Sequence, residues 1–453
     1  MTRRLFGTNG VRGIVNSEMS IELAMDLGRA IGTALGGRLA IGMDSRISGE
    51  MLKCAVSAGL MSTGVKVFDL GMLPTPALQY YVKARKLDGG VVITASHNPP
   101  EFNGIKCIAA DGTEMAREDE ERIERIFFDH SFVVKEWDRV GSLHHQSDAP
   151  NLYLDSIVRH VDKDAIRKAS MTVVVDCANG AGSITTPRLL ELLGVRAITL
   201  NCNPQGTFPG RPSEPTEESL SDLIALVKKT SADLGIAHDG DADRTIFIDE
   251  NGAFVHGDRS LALIARSIVK SRGGGLVVTP VSTSRCVEDA VIAVGGQVKY
   301  TKVGAPIVAR VMKSTNAVFG GEENGGLIFP EHQYCRDGLM TVAKMLEIIS
   351  KEGRLSSLLN EIPRYSLIKG KVECRNGIKQ DVMAQLCDRF REKAIDTTDG
   401  IKIFFDDGWV LIRPSGTEPI FRLIVEGVTE ANAKRYFAEF KTMLHEIIQS
   451  VNG

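Results

Sequence analysis

Short apolar runs rich in β-branched residues recur through the first three quarters of the chain. Each run is followed by a polar, glycine-containing loop and then by a segment with helical spacing. This alternation predicts α/β layers built on parallel strands. In the first block, strands are predicted at 39–43, 65–68 and 90–94, with helical segments such as 51–63 between them.

The same pattern appears twice more. The second block has predicted strands at 171–176, 197–200, 234–237 and 245–248. The third block has predicted strands at 275–279, 298–300 and 317–320. Because the order and length of the elements are similar in all three blocks, the sequence predicts three tandem α/β domains with mixed, mostly parallel sheets.

The pattern changes after about residue 366. Apolar runs at 401–405 and 409–412 flank Asp406, Asp407 and Gly408, a combination that predicts a tight hairpin turn. A further strand is predicted at 421–425 and a helix from 430 to about 449. These elements predict a smaller C-terminal α+β domain.

The length of the chain requires several domains, since 453 residues are too many for one hydrophobic core. We place the predicted boundaries where the strand and helix pattern restarts. The four predicted domains cover residues 1–150, 151–255, 256–365 and 366–453.

Composition and charge exclude several classes of protein. The chain is 43% hydrophobic and 25% charged, as in ordinary globular proteins. Its 54 basic and 57 acidic residues give a net charge of -3, so a concentrated basic face for nucleic acid or membrane is not expected. The 8 cysteines include no Cys-x-x-Cys pair and no secretory signal precedes them, which favours reduced thiols and a cytoplasmic location.

Residues 94–100, the serine loop, follow a predicted strand and contain Ser96 and His97, with Lys106 a few residues later. A serine beside a histidine and a lysine can act as a nucleophile or carry a phosphoryl group. An Asn-Pro turn with a capping serine would have a similar sequence. Both interpretations stay open for this loop taken alone.

Residues 239–244, the aspartate loop, contain Asp239, Asp241 and Asp243 at alternate positions. In an extended loop this spacing sends three carboxylates to one side, where a cation would offset their repulsion. Oxygen ligands without Cys or His favour Mg²⁺. A calcium loop is the competing idea, but EF-hand spacing is missing and Arg244 is an unusual neighbour for it. A solvated acidic turn is the structural alternative.

Two further loops contain groups suited to a sugar phosphate. Residues 320–326, the glycine loop, place Glu322, Glu323 and Asn324 between glycines, which suits hydrogen bonding to hydroxyls but also an ordinary mobile loop. Residues 413–419, the arginine loop, combine Arg413 with two hydroxyls and free backbone N–H groups. That set matches phosphate oxygens, although a plain turn between strands would look alike.

In this order, the four loops resemble those of the α-D-phosphohexomutase superfamily. The resemblance runs from Phe6 to about Glu426 and is far more specific than any single loop. It implies four domains around a central cleft. It also implies that the serine loop carries a phosphoserine, the aspartate loop a metal, the glycine loop the sugar contacts and the arginine loop a phosphate site.

The resemblance assigns a role to individual residues. Ser96 would carry the phosphoryl group, and one Mg²⁺ per chain would be bound by a phosphoserine oxygen and by Asp239, Asp241 and Asp243. Lys106 is implied as the general acid or base. The residues implied near the reacting phosphate and the metal are His97, Arg12 and Arg244. Those implied to bind substrate are Lys302, Glu322, Asn324, Arg413, Ser415, Gly416 and Thr417.

Residues 6–13 are similar to the N-terminal segment of phosphoglucosamine mutases, and residues 301–304 are also similar to this group. The resemblance therefore implies conversion of glucosamine 6-phosphate to glucosamine 1-phosphate through a hexosamine bisphosphate, which also serves as activator. The glycine loop departs from bacterial members, which have serine and histidine at Asn324 and Gly326, and is closer to archaeal ones. Mannose or glucose phosphates are the alternative substrates.

Two other classes of protein compete with a mutase. A phosphatase would pass the phosphoryl group to water, and a binding protein would have lost Ser96 or a metal aspartate, neither of which is lost here. The expected partner is a small sugar phosphate, not nucleic acid or membrane, and a dimer is possible. His332 and Arg336 follow the glycine loop as candidate cleft residues, with a packing role favoured for His332.

Overall fold

The apolar runs form four β-sheets, each with helices packed against it. The structure, a computed structural model, describes residues 4–7, 9–416 and 418–452. One sheet has six strands and the other three have five each. We call the four sheets with their helices units I to IV, in chain order.

Unit I contains a sheet with the strand order β1-β5-β4-β2-β3-β6. Its central strand β4 is buried on both faces, as expected for a continuous apolar run in a covered sheet. The elements of unit I are β1 (Val11–Ile14), α1 (Ile21–Leu35), β2 (Arg38–Met43), α2 (Gly49–Ser62), β3 (Lys66–Met72), α3 (Thr75–Arg85), β4 (Gly89–Ile93), β5 (Phe102–Ala109), α4 (Arg117–Phe128) and β6 (Ser142–His145).

Unit II contains a sheet with the order β11-β10-β9-β7-β8. Its buried strand β9 leads directly into the aspartate loop. The elements of unit II are α5 (Ala149–Arg159), α6 (Lys163–Ala169), β7 (Thr172–Asp176), α7 (Thr186–Leu193), β8 (Arg196–Leu200), α8 (Ser221–Thr230), β9 (Leu234–His238), β10 (Thr245–Ile248) and β11 (Phe254–Val255).

Unit III contains a sheet with the order β13-β12-β14-β15-β16. Asp337 is the N-cap of the helix Gly338–Glu352, because its side chain accepts a hydrogen bond from the Met340 N–H at 2.9 Å. The elements of unit III are α9 (Gly257–Arg272), β12 (Gly275–Pro280), α10 (Arg285–Ile292), β13 (Gly296–Thr301), α11 (Ala305–Thr315), β14 (Phe319–Gly321), β15 (Leu327–Phe329), β16 (Gln333–Arg336), α12 (Gly338–Glu352) and α13 (Leu355–Asn360).

Unit IV contains an antiparallel sheet with the order β17-β21-β20-β19-β18. The predicted hairpin is present, since β19 and β20 pair across a turn at Asp406 and Asp407. The elements of unit IV are β17 (Ser366–Glu373), α14 (Lys379–Arg389), β18 (Ile395–Asp396), β19 (Ile401–Phe405), β20 (Gly408–Pro414), β21 (Ile420–Gly427) and α15 (Glu430–Asn452).

Units I, II and III share one strand arrangement. In each, a central strand pairs in parallel with two neighbours, and a further strand returns antiparallel beside the last of these. The returning hairpins are β4–β5, β9–β10 and β14–β15. Since the three units repeat one topology, the turns of these hairpins are equivalent positions, and they are the serine, aspartate and glycine loops. The α/β prediction with a smaller α+β unit is confirmed.

The hydrophobic cores divide the molecule differently from the sheets. One large core includes side chains of units I, II and III, for example Leu78, Tyr153 and Leu346. Unit IV has a separate core around Phe421. Among the described residues, no helix combines the length and apolar character that crossing a membrane requires.

Candidate active site

Ser96 lies at the turn between β4 and β5, completely buried. Its backbone has a positive φ of 51°, which is uncommon for a residue with a side chain, and its N–H donates to Thr94 Oγ1 at 2.8 Å. The hydroxyl donates to Asp239 Oδ2 at 2.8 Å and lies 3.4 Å from His97 Nδ1. The serine loop and the aspartate loop therefore meet at this hydroxyl.

Arg46 fixes the shape of the serine loop, and the sequence analysis missed it. Its buried guanidinium pairs with Asp44 at 3.1 Å. It also donates to four carbonyl oxygens of the loop, at 2.6 to 2.9 Å, which belong to Ser96, Asn98, Pro99 and Phe102. The only signal in the sequence is the Asp44-Ser45-Arg46 triplet at the end of β2.

Gly240 permits the close approach of the two loops. A Cβ atom at this position would lie 2.5 Å from the Ser96 carbonyl oxygen, closer than real Cβ contacts occur. A larger residue would therefore push the serine loop away from the aspartates.

The three aspartates of the aspartate loop form a buried acidic cluster that could hold a cation. Asp239, Asp241 and Asp243 are at most 1% exposed, and each offers an oxygen within 4.8 Å of the others. The Oδ1 atoms of Asp241 and Asp243 are buried and make no hydrogen bond. Burial, followed by the charges of Asp241 and Asp243, raises the pKa of Asp239 well above its usual range. Oxygen donors without hydrogen-bond partners fit a hard cation such as Mg²⁺.

Lys106 and Arg336 surround the cluster with positive charge. Lys106 belongs to the buried strand β5, not to a loop, and its Nζ lies 2.7 Å from Asp241 Oδ2 and 3.7 Å from Asp243 Oδ2. Thr75 Oγ1 also donates to Asp241 Oδ2, at 2.7 Å. Although burial opposes the shift, Lys106 lowers the pKa of Asp241. Asp241 is therefore held in its charged form.

Arg244 connects the three aspartates to Glu214, a carboxylate that was not predicted from the sequence. Its Nη1 donates to both oxygens of Glu214, at 3.0 and 2.9 Å, and its Nε lies 4.0 Å from Asp239. His97 Nδ1 lies 3.6 Å from Glu214 Oε2. Burial and the charges of Arg244 and Arg12 lower the pKa of His97 to about 2. A neutral His97 thus lies beside the Ser96 hydroxyl.

Arg12 approaches the serine loop from β1, where its Nη1 donates to Asn98 Oδ1 at 2.8 Å. Burial lowers the pKa of Arg12, while the charge of Asp241 raises it and that of Arg244 lowers it further. These electrostatic effects place Arg12 among the charged groups around the aspartates.

Arg336 joins the aspartate loop to the glycine loop. Its Nη2 lies 2.6 Å from Asp243 Oδ2, and its Nη1 lies 3.3 Å from Glu322 Oε2. Glu322 Oε1 accepts a hydrogen bond from the Gly304 N–H at 3.2 Å. Burial raises the pKa of Glu322, against the effect of Arg336. Asn324 is half-buried, and its Oδ1 accepts from the Gly326 N–H at 3.1 Å.

The arginine loop reaches the same network through Asp399. Arg413 Nε lies 3.0 Å from Asp399 Oδ2, which also accepts from the Val303 N–H at 3.0 Å. Ser415 Oγ accepts from the Glu418 N–H at 3.1 Å, and Gly416 is exposed. Thr417, predicted to bind substrate, lies outside the described residues.

Lys302 and His332, two further predicted residues, lie in different surroundings from each other. Lys302 is exposed, next to Val303 and Gly304, which contact unit IV and Glu322. His332 is buried, and its Nδ1 lies 3.1 Å from Ser156 Oγ while its Nε2 lies 3.3 Å from Asp337. The structure gives His332 a packing role between units.

Contacts join Ser96, the three aspartates, Arg244, Glu322 and Arg413 in one path. His97, Arg12 and Lys106 contact the serine and aspartate loops beside this path. Asn324, Ser415 and Gly416 belong to the glycine and arginine loops that the path joins.

Comparison with known protein families agrees with this geometry. The phosphoglucomutase/phosphomannomutase α/β/α domain I, II and III models match residues 3–134, 151–252 and 256–365, and the C-terminal domain model of the same family matches residues 367–443. The chain belongs to the phosphoglucomutase/phosphomannomutase family. It is accordingly a phosphohexomutase, an enzyme that moves a phosphoryl group within a hexose phosphate.

Relatives of this phosphohexomutase match over almost the whole chain. It is 46% identical to a phosphoglucomutase/phosphomannomutase of Thermococcus kodakarensis, covering 98% of this chain and 99% of the relative. It is 43% identical to a probable phosphoglucosamine mutase of Methanopyrus kandleri, covering 99% of each. A phosphoglucosamine/phosphogalactosamine mutase of Sulfurisphaera tokodaii is 42% identical, covering 97% of this chain and 99% of the relative.

A solved structure shows the same fold. A phosphoglucomutase/phosphomannomutase family protein of Burkholderia thailandensis superposes with a TM-score of 0.88 at 28% identity, covering 98% of this chain and 97% of that one.

Proposed function

We propose that the chain is a phosphoglucosamine mutase, which interconverts glucosamine 6-phosphate and glucosamine 1-phosphate through a phosphoserine on Ser96. The observation that carries the proposal is the path of contacts that begins at the Ser96 hydroxyl and passes through the aspartate and glycine loops to Arg413. Relatives named for glucosamine phosphate mutases, at 40 to 43% identity, support the choice of sugar.

We propose that Asp239, Asp241 and Asp243 hold one Mg²⁺ together with an oxygen of the phosphorylated Ser96. The donor set fits, because two of its buried oxygens make no hydrogen bond. When bound, Mg²⁺ offsets the charge of the transferring phosphoryl group. The chain's own cations Arg12, Arg244 and Arg336 would serve the same purpose from the protein side.

The first transfer breaks the bond between Ser96 Oγ and phosphorus while a sugar hydroxyl oxygen bonds to phosphorus. The hydroxyl proton passes to a base, for which neutral Lys106 is the candidate, and the released Ser96 Oγ takes up a proton. The product of this step is a hexosamine bisphosphate. In the return transfer, Ser96 Oγ gives up its proton and bonds to the other phosphate of the bisphosphate, the bond from that phosphate to the sugar oxygen breaks, and the released sugar oxygen takes up a proton.

The sugar must be held in two orientations, because each of its ends reacts in turn with Ser96. Glu322 and Asn324 offer an acceptor and an amide for sugar hydroxyls in either orientation. Arg413, Ser415, Gly416 and Thr417 would hold the phosphate that is not reacting, with Lys302 as a further cation. A phosphatase would not need this second site, which disfavours hydrolysis as the main activity.

A second candidate function is action on mannose or glucose phosphates by the same mechanism. The name of the Thermococcus kodakarensis relative, at 46% identity, favours it. We further propose a cytoplasmic enzyme, which the 8 free thiols of the chain support.

The test compares three substrates on one preparation. The purified protein, phosphorylated on Ser96 and supplied with Mg²⁺, is assayed with glucosamine 6-phosphate, mannose 6-phosphate and glucose 6-phosphate. We expect the highest kcat/KM on glucosamine 6-phosphate and little free phosphate in a coupled assay. A higher kcat/KM on either other sugar would replace glucosamine in the proposal, and release of phosphate at the rate of turnover would replace the mutase.

A further inference from the structure

A large cavity lies behind the glycine loop, where units II and III meet the segment that leads into unit IV. Its volume is about 930 Å³ and we call it the rear cavity. Its walls include the start of α9, the linker before β17, and Glu323 of the glycine loop. Among the described residues, none that lines the rear cavity belongs to the serine, aspartate or arginine loop, and none of them is a proposed catalytic residue.

Two arginines of the rear cavity have no carboxylate partner. Arg259 Nη2 donates to the carbonyl oxygens of Leu359 and Ile362, but its Nε is buried without a hydrogen bond. Arg364 is exposed and, within the described chain, forms neither a hydrogen bond nor an ion pair. Burial and the positive charge of Arg364 lower the pKa of Arg259. Both side chains line the same cavity.

Other arginines of the same helix are neutralised, which makes Arg259 an exception on α9. Arg266 lies 2.9 Å from Glu361 Oε2, and Arg272 lies 2.7 Å from Glu331 Oε2. The helix thus pairs its arginines with carboxylates away from the rear cavity and leaves unpaired the one that lines it.

The acidic residues of the rear cavity are already engaged by other groups. Glu323 Oε1 lies 3.1 Å from Lys369 Nζ, and Asp258 Oδ1 accepts from the Ser284 N–H at 2.7 Å. Asp249 Oδ1 accepts from two N–H groups of its own turn, at 2.9 and 2.8 Å. Burial lowers the pKa of His256, another wall residue, which favours its neutral form. Within the part of the chain that the structure describes, no carboxylate of the rear cavity forms an ion pair with Arg259 or Arg364.

We infer that the rear cavity binds a small phosphorylated molecule, whose phosphate lies between Arg259 and Arg364. Guanidinium groups match phosphate oxygens in geometry and charge, and two of them can share one phosphate. The volume is in the upper part of the range for small-molecule sites, which leaves room for an organic group beyond the phosphate. The site requires neither Ser96 nor the metal cluster.

Isothermal titration calorimetry with inorganic pyrophosphate in magnesium-free buffer tests the inference. The wild-type protein is compared with the R259Q/R364Q double variant and with R272Q, a matched control on the same helix. We expect the double variant to lose one binding component, weakened at least about tenfold, while R272Q keeps it. Mutase turnover should stay unchanged in both variants.

Glucose 6-phosphate and inorganic phosphate, titrated in parallel, distinguish an organic phosphate from a free anion. We expect glucose 6-phosphate to bind the R259-dependent component more tightly than inorganic phosphate does. Equal affinity of the two would mean that only a phosphate group is recognised and would overturn the organic ligand.

A single variant protects the test against misfolding, because Arg259 also holds the Leu359 and Ile362 carbonyls. R364Q removes an exposed side chain without partners, so we expect normal folding and, in anion-free buffer, an unchanged or higher Tm. Its pyrophosphate component should weaken. Wild-type pyrophosphate binding in R364Q would overturn the inference, whatever the mutase assay shows for Ser96.

Discussion

The aspartate loop and the arginine loop both bind charge in the proposed enzyme, but they are held in opposite ways. Asp239, Asp241 and Asp243 are at most 1% exposed and lie where units I, II and III share a core. In the arginine loop, the side chain of Arg413 is 18% exposed and Gly416 is exposed, on a unit with its own core. The proposed metal ligands are thus fixed by burial. Arg413 and Gly416, which are proposed to hold the distant phosphate, are more exposed, although Ser415 of the same loop is buried.

The boundary between units III and IV combines an apolar cluster with specific polar contacts. Val281 and Tyr300 of unit III pack in one cluster with Trp409, Leu411 and Ile424 of unit IV. Lys402 Nζ donates to the Val281 carbonyl oxygen at 2.8 Å and lies 3.9 Å from the centre of the Trp409 ring. Glu426 accepts from Trp409 Nε1 at 2.7 Å and from the Arg285 N–H at 3.1 Å. Unit IV therefore contacts unit III through this small cluster and polar side chains, whereas units I to III share one large core.

Asp241→Asn should give the largest effect, because it removes a charge at the centre of the rigid region. The variant keeps the shape of the side chain but weakens Mg²⁺ binding and leaves Lys106 with less counter-charge. We expect kcat to fall at least about 10³-fold. Steady-state assays over a Mg²⁺ titration measure this.

Asp233→Asn, at the opposite end of β9, is the control for that variant and should stay near the wild-type rate. A rate within tenfold of wild type for Asp241→Asn would contradict the proposed role of the three aspartates in catalysis.

Arg336→Met tests the link between the rigid loops. The change leaves Asp243 and Glu322 without their shared cation. We expect kcat to fall about 10²-fold and KM to rise, since both the metal cluster and the sugar contacts lose support. The control is Arg310→Met. It removes a hydrogen bond of 3.2 Å from Arg310 in unit III to the Glu114 carbonyl oxygen in unit I. Equal losses in the two variants would mean that any bridge between the units has this effect.

Arg413→Gln tests the more exposed of the two loops, the arginine loop. The phosphate that Arg413 is proposed to bind is held equally in the ground state and in the transition state, so the loss of binding should appear in KM. We expect KM to rise about tenfold or more with kcat changed only a few-fold. Arg435→Gln on α15 should leave both constants unchanged. A fall in kcat at constant KM would place Arg413 at the reacting phosphate instead.

Lys402 gives the smallest expected effect, on the attachment of unit IV. Burial lowers its pKa to about 8 from 10.5, so between these values the unfolded chain binds more protons than the folded one. Stability should therefore rise with pH across that window, by roughly 1 to 3 kcal/mol relative to Lys402→Met. Urea unfolding at several pH values measures this, with Lys441→Met as the exposed control. A difference between wild type and Lys402→Met that does not change with pH would contradict the lowered pKa of Lys402.

Much of the fold could be predicted because the central strands are continuous apolar runs. The predicted strand at 90–94 is β4, shifted by one residue, and the predicted hairpin at 406–408 joins β19 to β20. Of the strands in the described chain, seven besides β5 were not predicted. Six of these lie at sheet edges, where the apolar pattern is weak, namely β1, β6, β11, β16, β17 and β18, and the seventh, β15, has only 3 residues. β5 was missed because polar Asn103 and Lys106 interrupt it.

The candidate site was predictable where one loop contains all its groups. Asp239, Asp241 and Asp243 are neighbours in sequence, so their cluster could be foreseen. Arg46 and Glu214 could not, because they reach the serine loop and Arg244 from distant segments. Contacts of this kind depend on how the units pack, and a single sequence gives no signal for them.

The proposed mechanism depends on Ser96 as the carrier of the phosphoryl group. The most direct measurement is peptide mass spectrometry of the protein after incubation with glucosamine 1,6-bisphosphate, alongside the mutase assay of Ser96→Ala. We predict one phosphoryl group, located on Ser96, and a loss of turnover on the order of 10⁴-fold or more in a folded variant. A phosphoryl group on another residue, or a nearly normal rate in Ser96→Ala, would contradict this role of Ser96.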